Sequence, residues 1–73
     1  MPGALNELRR RIARLRQQPE HSVLPDSALR EIIRLRPQTM EEFAAIGGVG
    51  ERKAALYGDD FLLLIRIYRK AQQ

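Results

Sequence analysis

The first apolar residues of the chain recur at the spacing of an α-helix. They are Leu5, Leu8, Ile12 and Leu15. This spacing places them on one stripe of a helix over residues 4–18, and the arginines between them face water. We predict that Pro19 ends this helix, because the residue before a proline is biased away from helical geometry. Glu7 is expected to pair with Arg10 and Arg11, which leaves the five arginines of the helix largely uncompensated.

Residues 19–25 contain two prolines and show no apolar period. We therefore predict a loop here, held down by the burial of Val23 and Leu24. Asp26 has the position of an N-cap, whose carboxylate accepts from the free amides of a second helix that Pro37 ends. The predicted buried face of that helix holds Leu29, Ile32, Ile33 and Leu35.

A capping box marks the start of a third, short helix. Thr39 is followed three positions later by Glu42, and each side chain can satisfy a free backbone amide of the other residue's turn. We predict this helix over residues 40–45. Its core side chains would be Met40, Phe43 and Ile46.

Glycines divide the rest of the chain into two further helices. The run at residues 47–50 breaks the third helix, and a fourth is predicted over 51–57 with Gly58 as its stop. Tyr57 lies on the apolar stripe of this fourth helix and is expected in the core. Asp59 or Asp60 is expected to cap a fifth helix that runs to about Ala71. Its apolar face holds Phe61, Leu64, Ile65 and Tyr68, widened by Leu62, Leu63 and Ile67. No strand pattern or internal repeat interrupts this series, so the predicted fold is an all-α, compact five-helix bundle.

Length and composition restrict the class of protein further. Seventy-three residues suffice for one domain, here 1–73 with its core at about 4–71. The longest apolar run, 61–65, is too short for a bilayer, and the first three residues lack a signal pattern. Without cysteine the chain has no disulfide and no thiolate metal site. We therefore expect a single cytoplasmic domain with no membrane partner, no metal and no cofactor.

Charge suggests the class of partner. Thirteen basic residues against nine acidic ones give a formal net charge of +4, and most of the basic residues are arginine. Guanidinium groups bind phosphates through two hydrogen bonds and stack on bases, which favours nucleic acid. An ordinary solvated, salt-bridged surface explains the same composition, so charge alone leaves both interpretations open.

The segment around Val49 is the most informative motif. Gly48 and Gly50 flank this small apolar residue between two predicted helices. Glycine lets a backbone approach a ligand closely, and the amides at a helix start favour a phosphate. Arg52 and Lys53 would lie in the first helical turn, where cations oppose the helix dipole, so a polyanion explains them better than helix stability does.

This segment resembles the helix-hairpin-helix motif, and four linked stretches resemble the helicase-and-RNase-D C-terminal (HRDC) domain. These stretches are 24–32, then 36–37 with 39–43, then 46–50, and then 57–58 with 61–62. The resemblance implies a five-helix bundle with a helix-hairpin-helix-like turn, in a C-terminal fragment of a larger enzyme. It further implies a monomeric, non-catalytic module that tethers a RecQ-like DNA helicase to single-stranded or structured DNA, such as junctions and partial duplexes.

The resemblance also has two departures. The connection between the first two helices is shorter than in many members, and His21 occupies a position where an aromatic residue often stacks on an unpaired base. A histidine can still stack, although the interpretation as a solvent-facing residue without a role is favoured over it.

The predicted nucleic-acid contacts combine the hairpin with neighbouring cations. They are Gly48, Val49, Gly50, Arg52, Lys53, Arg16, His21, Arg34 and Arg36. No catalytic residue is predicted, because a single histidine provides too few parts for a zinc site or a nucleophile relay. Two alternatives remain: a module that contacts protein, including the helicase core of the same chain, and an RNA-binding domain of an RNase D-type exonuclease. If the domain belongs to a DNA helicase, we expect the protein at the nucleoid in bacteria.

Overall fold

A computed structural model describes residues 2–71 and contains five helices in that part of the chain. They are α1 (Pro2–Arg16), α2 (Glu20–Val23), α3 (Asp26–Leu35), α4 (Met40–Ala44) and α5 (Gly50–Ala71). Over these residues there is no strand. The all-α, five-helix prediction is therefore confirmed, although the helices divide the chain differently from the prediction.

One hydrophobic core joins the five helices. Helix α1 packs against α2, α3 and α5, while α4 packs along α5. The largest fully buried side chains are Phe43, Phe61, Leu5, Leu24, Ile32, Ile65 and Val23. The rings of Phe43 and Phe61 stack with their centroids 5.8 Å apart, which joins α4 to the middle of α5.

The buried face of α1 lies further round the helix than the sequence suggested. It is made by Leu5, Arg9, Ile12 and Ala13. Arg9 and Ala13 lie one turn apart on the side of the helix next to the predicted stripe. The rotation leaves Leu15 78% exposed, so its predicted burial is wrong. It also brings Arg16, one turn beyond Ile12 and Ala13, to the same side as Arg9.

The predicted loop at 19–25 is wrong in part, because it contains α2. Pro19 takes the N-cap position of this helix with φ −63° and ψ 154°, an extended conformation that suits proline. Val23 and Leu24 are fully buried, which confirms their predicted role. The predicted N-cap at Asp26 is also wrong: Pro25 is the N-cap of α3, and no side chain caps this end.

Two left-handed residues end helices without glycine. Gln17, with φ 55°, follows α1, and the amide of Gln18 donates to the carbonyl oxygen of Ala13 at 2.9 Å. Arg36, with φ 49°, ends α3 directly before Pro37. Leu35 is 53% exposed at this end, so its predicted burial is also wrong.

Helix α4 begins as predicted. The Glu42 amide donates to Thr39 Oγ1 at 3.1 Å, and the Thr39 amide donates to Glu42 Oε1 at 3.2 Å. This reciprocal capping box confirms the prediction. Phe43 and Ile46 are buried, whereas Met40 keeps 37% exposure at the edge of the core.

Helix α5 is continuous, which overturns the prediction of separate fourth and fifth helices. Gly58 is a buried helical residue and not a stop. A Cβ at Gly58 would lie 2.6 Å from Met40 Sδ and 3.5 Å from Phe43 Cδ2. The glycine therefore makes room for α4, and the capping role predicted for Asp59 or Asp60 disappears. The predicted widening of the buried face is confirmed for Leu62, which packs against the core. It is wrong for Leu63 and Ile67, which are more than half exposed.

Candidate nucleic-acid interface

The turn between α4 and α5 is anchored in the core by its apolar residues. Ile46 and Val49 are both buried, and the Val49 amide donates to the Ile46 carbonyl oxygen at 3.0 Å. This hydrogen bond uses the amide of Val49 within the turn. Val49 therefore holds the hairpin in place, and its amide is engaged within the turn. Its contact with nucleic acid stays a prediction.

Gly48 allows a close approach at the turn, and the atoms that approach it belong to the protein itself. Its φ is +91°, and a Cβ here would lie 2.9 Å from Pro25 Cγ and 3.4 Å from Ala28 Cβ. The side of Gly48 that faces the start of α3 is thus filled by these two residues. The glycines of the turn are exposed, and a Cβ at Gly50, whose φ is +73°, would meet no atom within 4 Å.

Helix α5 begins directly at the turn. Gly50 is its first residue, so Arg52 and Lys53 lie in its first turn, as predicted. The first amides of a helix have no acceptor within the helix and carry the positive end of its dipole. Arg52 is exposed and Lys53 is half-buried. Two cations and a helix start therefore lie together at one corner of the molecule.

A cleft beside this corner brings together three of the predicted cations. It encloses about 220 Å³, and its lining residues are Arg16, Gln18, Ser22, Arg52, Lys53, Leu56 and Tyr57. None of them is acidic. Arg16 comes from the end of α1 and the other two cations come from α5, so the cleft depends on the packing of these two helices. We name this surface the hairpin cleft.

Tyr57 fixes one cation of the hairpin cleft. The Arg16 guanidinium carbon lies 5.5 Å from the centroid of the Tyr57 ring, within the range of a cation–π interaction. The ring itself is 95% buried, as the exposed fraction of 5% shows. Sequence reasoning predicted Tyr57 only as a core residue and missed this contact, together with Gln18 and Ser22. A helix-period pattern identifies a buried face but not which distant residue that face meets.

Six of the nine predicted residues lie outside the lining of the hairpin cleft: the turn residues 48–50, and three side chains of α2 and the end of α3. His21 is exposed in α2, next to the lining residue Ser22. Arg34 donates to Glu31 Oε2 at 2.7 Å, and this hydrogen bond raises the pKa of its guanidinium. Arg36 holds the left-handed end of α3. The structure therefore joins Arg16 to Arg52 and Lys53, and it leaves the cations of α3 separate.

Ion pairs neutralise part of α1. Arg9 lies near Asp26 and Glu20, at 2.8 and 3.7 Å, and Arg10 pairs with Glu7 at 2.7 Å. The prediction that all five arginines of this helix stay largely uncompensated is therefore wrong for these two. Within residues 2–71, the remaining three have no carboxylate within ion-pair distance. They are Arg11, Arg14 and Arg16.

Among the described residues, no three His, Cys, Asp or Glu side chains cluster so that they could hold a metal ion. None of the helices described has both the length and the apolar character needed to cross a bilayer.

Comparison with known proteins identifies the family. The family model described as the HRDC domain matches residues 3–65, which covers most of the chain. No solved structure matches the chain. HRDC domains are accessory domains of helicases and RNase D that bind nucleic acid or protein and are generally non-catalytic. The chain, whose described residues form five helices and a glycine hairpin, belongs to the HRDC domain family.

Proposed function

We propose that this domain is a non-catalytic, DNA-binding accessory module of a RecQ-like helicase and that it holds the phosphate backbone. The observation that carries the proposal is the hairpin cleft, where Arg16, Arg52 and Lys53 line one depression that contains no carboxylate. The start of α5 lies at the same corner. A backbone phosphate placed there meets both helix amides and guanidinium groups.

The contact is directed to phosphates and not to base sequence. Three or four neutralised phosphates give a log–log salt slope of about −2 to −3 on single strands, with micromolar or weaker affinity near physiological salt. Weak binding suits a tether. Because the domain is linked to an enzyme that already holds the same strand, the effective concentration of the domain near that strand is raised. Preference among single strands, junctions and partial duplexes then follows from which phosphates the cleft reaches. A role at the bacterial nucleoid follows from the same proposal.

Charge reversal in the hairpin cleft tests this function. The double variant Arg52→Glu/Lys53→Glu is expected to weaken binding to single-stranded and junction DNA at least tenfold. Its melting temperature should stay near that of the wild type, because acidic residues are favourable in the first turn of a helix. The matched control is Arg11→Glu/Arg14→Glu, which reverses two exposed cations of α1 outside the cleft. Equal DNA affinity of the cleft variant and the control would contradict the proposal.

A comparison of the affinity for DNA with the affinity for RNA of the same sequence and length distinguishes the two candidate parent enzymes. Both nucleic acids present phosphates to the cleft, so their affinities separate a helicase module from the accessory domain of an RNase D-type exonuclease. Tighter binding of the DNA strand is expected. Clear preference for RNA would assign the domain to the ribonuclease.

An apolar groove between α1 and α5 favours a second candidate function, contact with protein. Its apolar lining includes Leu8, Leu63, Leu64 and Ile67, and Leu63 and Ile67 are more than half exposed. The helicase core of the same chain is the partner that this function implies. The variant Leu63→Glu/Ile67→Glu should then release the domain from that core while its DNA affinity stays unchanged. Binding to the core that persists at high salt, without measurable DNA binding, would favour this candidate over the first.

A further inference from the structure

A second basic groove lies at the carboxyl-terminal half of α5. It encloses about 300 Å³ and is lined by Pro37, Gln38, Leu62, Ile65, Arg66, Arg69 and Lys70. No acidic residue is among them. Buried Ile65 and half-buried Leu62 provide apolar surface in the lining. We name this surface the α5 groove.

Helix stability explains only part of this cluster. Arg69 and Lys70 lie in the last turn of α5, where cations interact favourably with the dipole. Arg66 lies more than a turn before the end of the helix, beyond the reach of that interaction. In the described part of the chain, no carboxylate lies within ion-pair distance of these three cations. The three charges therefore remain available to an anionic ligand.

The α5 groove and the hairpin cleft are carried by one rigid element. Arg52 and Lys70 are 18 residues apart on α5, which equals five helical turns, so these two cations lie on the same side of the helix. Lys53 and Arg69 lie about 100° to opposite sides of that line, so a strand that joins the two sites crosses the exposed face of α5. Their separation along the axis is about 27 Å. At the B-form rise of about 3.4 Å per phosphate of one strand, this distance corresponds to about eight nucleotides, and a more extended single strand spans it with fewer.

We infer that the α5 groove is a second phosphate-binding site, which engages the same DNA strand as the hairpin cleft. Arg66, Arg69 and Lys70 bind phosphates, while the apolar surface of Leu62 and Ile65 contacts the sugar and base edges. This inference rests on the proposed function. It adds that the domain needs a strand long enough to reach both sites, so affinity rises with strand length through two linked contacts.

Oligonucleotide length separates one site from two. Fluorescence anisotropy measures binding of labelled thymidine 4-mers and 12-mers by the wild type, by Arg66→Gln/Arg69→Gln/Lys70→Gln, and by the control Arg11→Gln/Arg14→Gln/Arg30→Gln. Both triple variants lose the same charge. The groove variant should bind the 12-mer at least fivefold more weakly and lower the magnitude of its salt slope by about 2, because three phosphate contacts at about 0.7 each are lost. The affinity of the control for the 12-mer should differ from that of the wild type by at most about twofold. The same limit should hold for the affinity of either triple variant for the 4-mer.

The outcomes separate this inference from the proposed function. If the groove variant matches the control on the 12-mer while Arg52→Glu/Lys53→Glu abolishes binding, the proposed function stands and the second site is overturned. If the wild type binds neither strand, both are overturned. A glutamate peptide that competes as well as the unlabelled 12-mer would overturn the assignment to nucleic acid. If the groove variant does not fold, chemical-shift mapping of the wild type decides. Addition of the 12-mer should then shift the backbone amide signals of Gln38 and residues 66–70, and unchanged signals would overturn the inference.

Discussion

Arg9 Nη1 lies 2.8 Å from Asp26 Oδ1 and 2.9 Å from the carbonyl oxygen of Leu24, and it donates a hydrogen bond to each. The arginine is 93% buried, as its exposed fraction of 7% shows. One guanidinium in the middle of α1 therefore ties that helix to the junction between α2 and α3. The same junction supplies Pro25, against which Gly48 packs. Arg9 thus holds the residues around Pro25 in place, and Pro25 in turn contacts the hairpin at Gly48.

Replacement of Arg9 by alanine should destabilise the domain. The change leaves the buried Leu24 carbonyl oxygen without its donor, at a cost of about 1–3 kcal/mol, and removes the packing of the arginine stem. Equilibrium urea unfolding measures the loss. The control Arg11→Ala changes an exposed residue of the same helix and should shift the free energy of unfolding by less than about 0.5 kcal/mol. Equal effects of the two changes would contradict the role assigned to Arg9.

Stability should depend on pH through Asp26. The hydrogen bond from Arg9, and then the charge of Arg9, hold the pKa of this carboxyl below its ordinary value. A lowered folded-state pKa gives a stabilising contribution that is complete above the unfolded-state pKa of about 3.9 and is lost as pH falls through the folded-state value. Asp26→Asn should therefore be less stable than the wild type at pH 7, and the difference should shrink below about pH 4. A difference that is independent of pH would contradict this assignment.

Three alanine substitutions separate backbone strain from steric contact in the hairpin. Gly50→Ala places a side chain at φ +73° with open space around it, so only left-handed strain of about 1–2 kcal/mol is expected. Gly48→Ala adds a contact with Pro25 at 2.9 Å and should destabilise more. Gly47 has neither feature, and Gly47→Ala should change the free energy of unfolding by less than about 0.5 kcal/mol. Thermal unfolding of all three gives the order, and a Gly48 variant as stable as the Gly47 variant would refute it.

Features that depend on neighbours in sequence were predictable. The capping box of Thr39 and Glu42 needs two residues three positions apart, and it forms as expected. The buried residues Val23 and Leu24 were identified even though α2 was missed, because an apolar pair between prolines has few other roles. The hairpin placed Arg52 and Lys53 in the first turn of α5 for the same local reason.

Features that depend on distant residues were not predictable. Gly58 continues α5 because it faces Met40 and Phe43, and no local signal distinguishes such a glycine from a helix stop. The partners of Arg9 lie 15 and 17 residues away, so its burial was missed. The hairpin cleft likewise needs Arg16 beside Tyr57, a contact between the two longest helices. The sequence indicated the cations but not which of them share a surface.

Gly58→Ala tests the explanation for the continuous helix. Alanine is favoured over glycine within a helix by about 1 kcal/mol, while its Cβ must displace Met40, a flexible side chain that is 37% exposed. These effects oppose each other, so the free energy of unfolding should change by less than about 1 kcal/mol. In a Met40→Ala background the same substitution should stabilise the domain. A large loss in both backgrounds would show that another neighbour needs the glycine.

The location of the DNA contact tests the central claim most directly. Two-dimensional ¹H–¹⁵N spectra recorded while a thymidine 12-mer is added report each backbone amide separately. The claim requires the largest shifts at Gly50, Glu51, Arg52 and Lys53, with smaller ones at Arg16, and all of them should decrease as salt is raised. Shifts confined to the apolar groove of α1 and α5, or none near the start of α5, would contradict the assignment of the hairpin cleft as the DNA-binding surface.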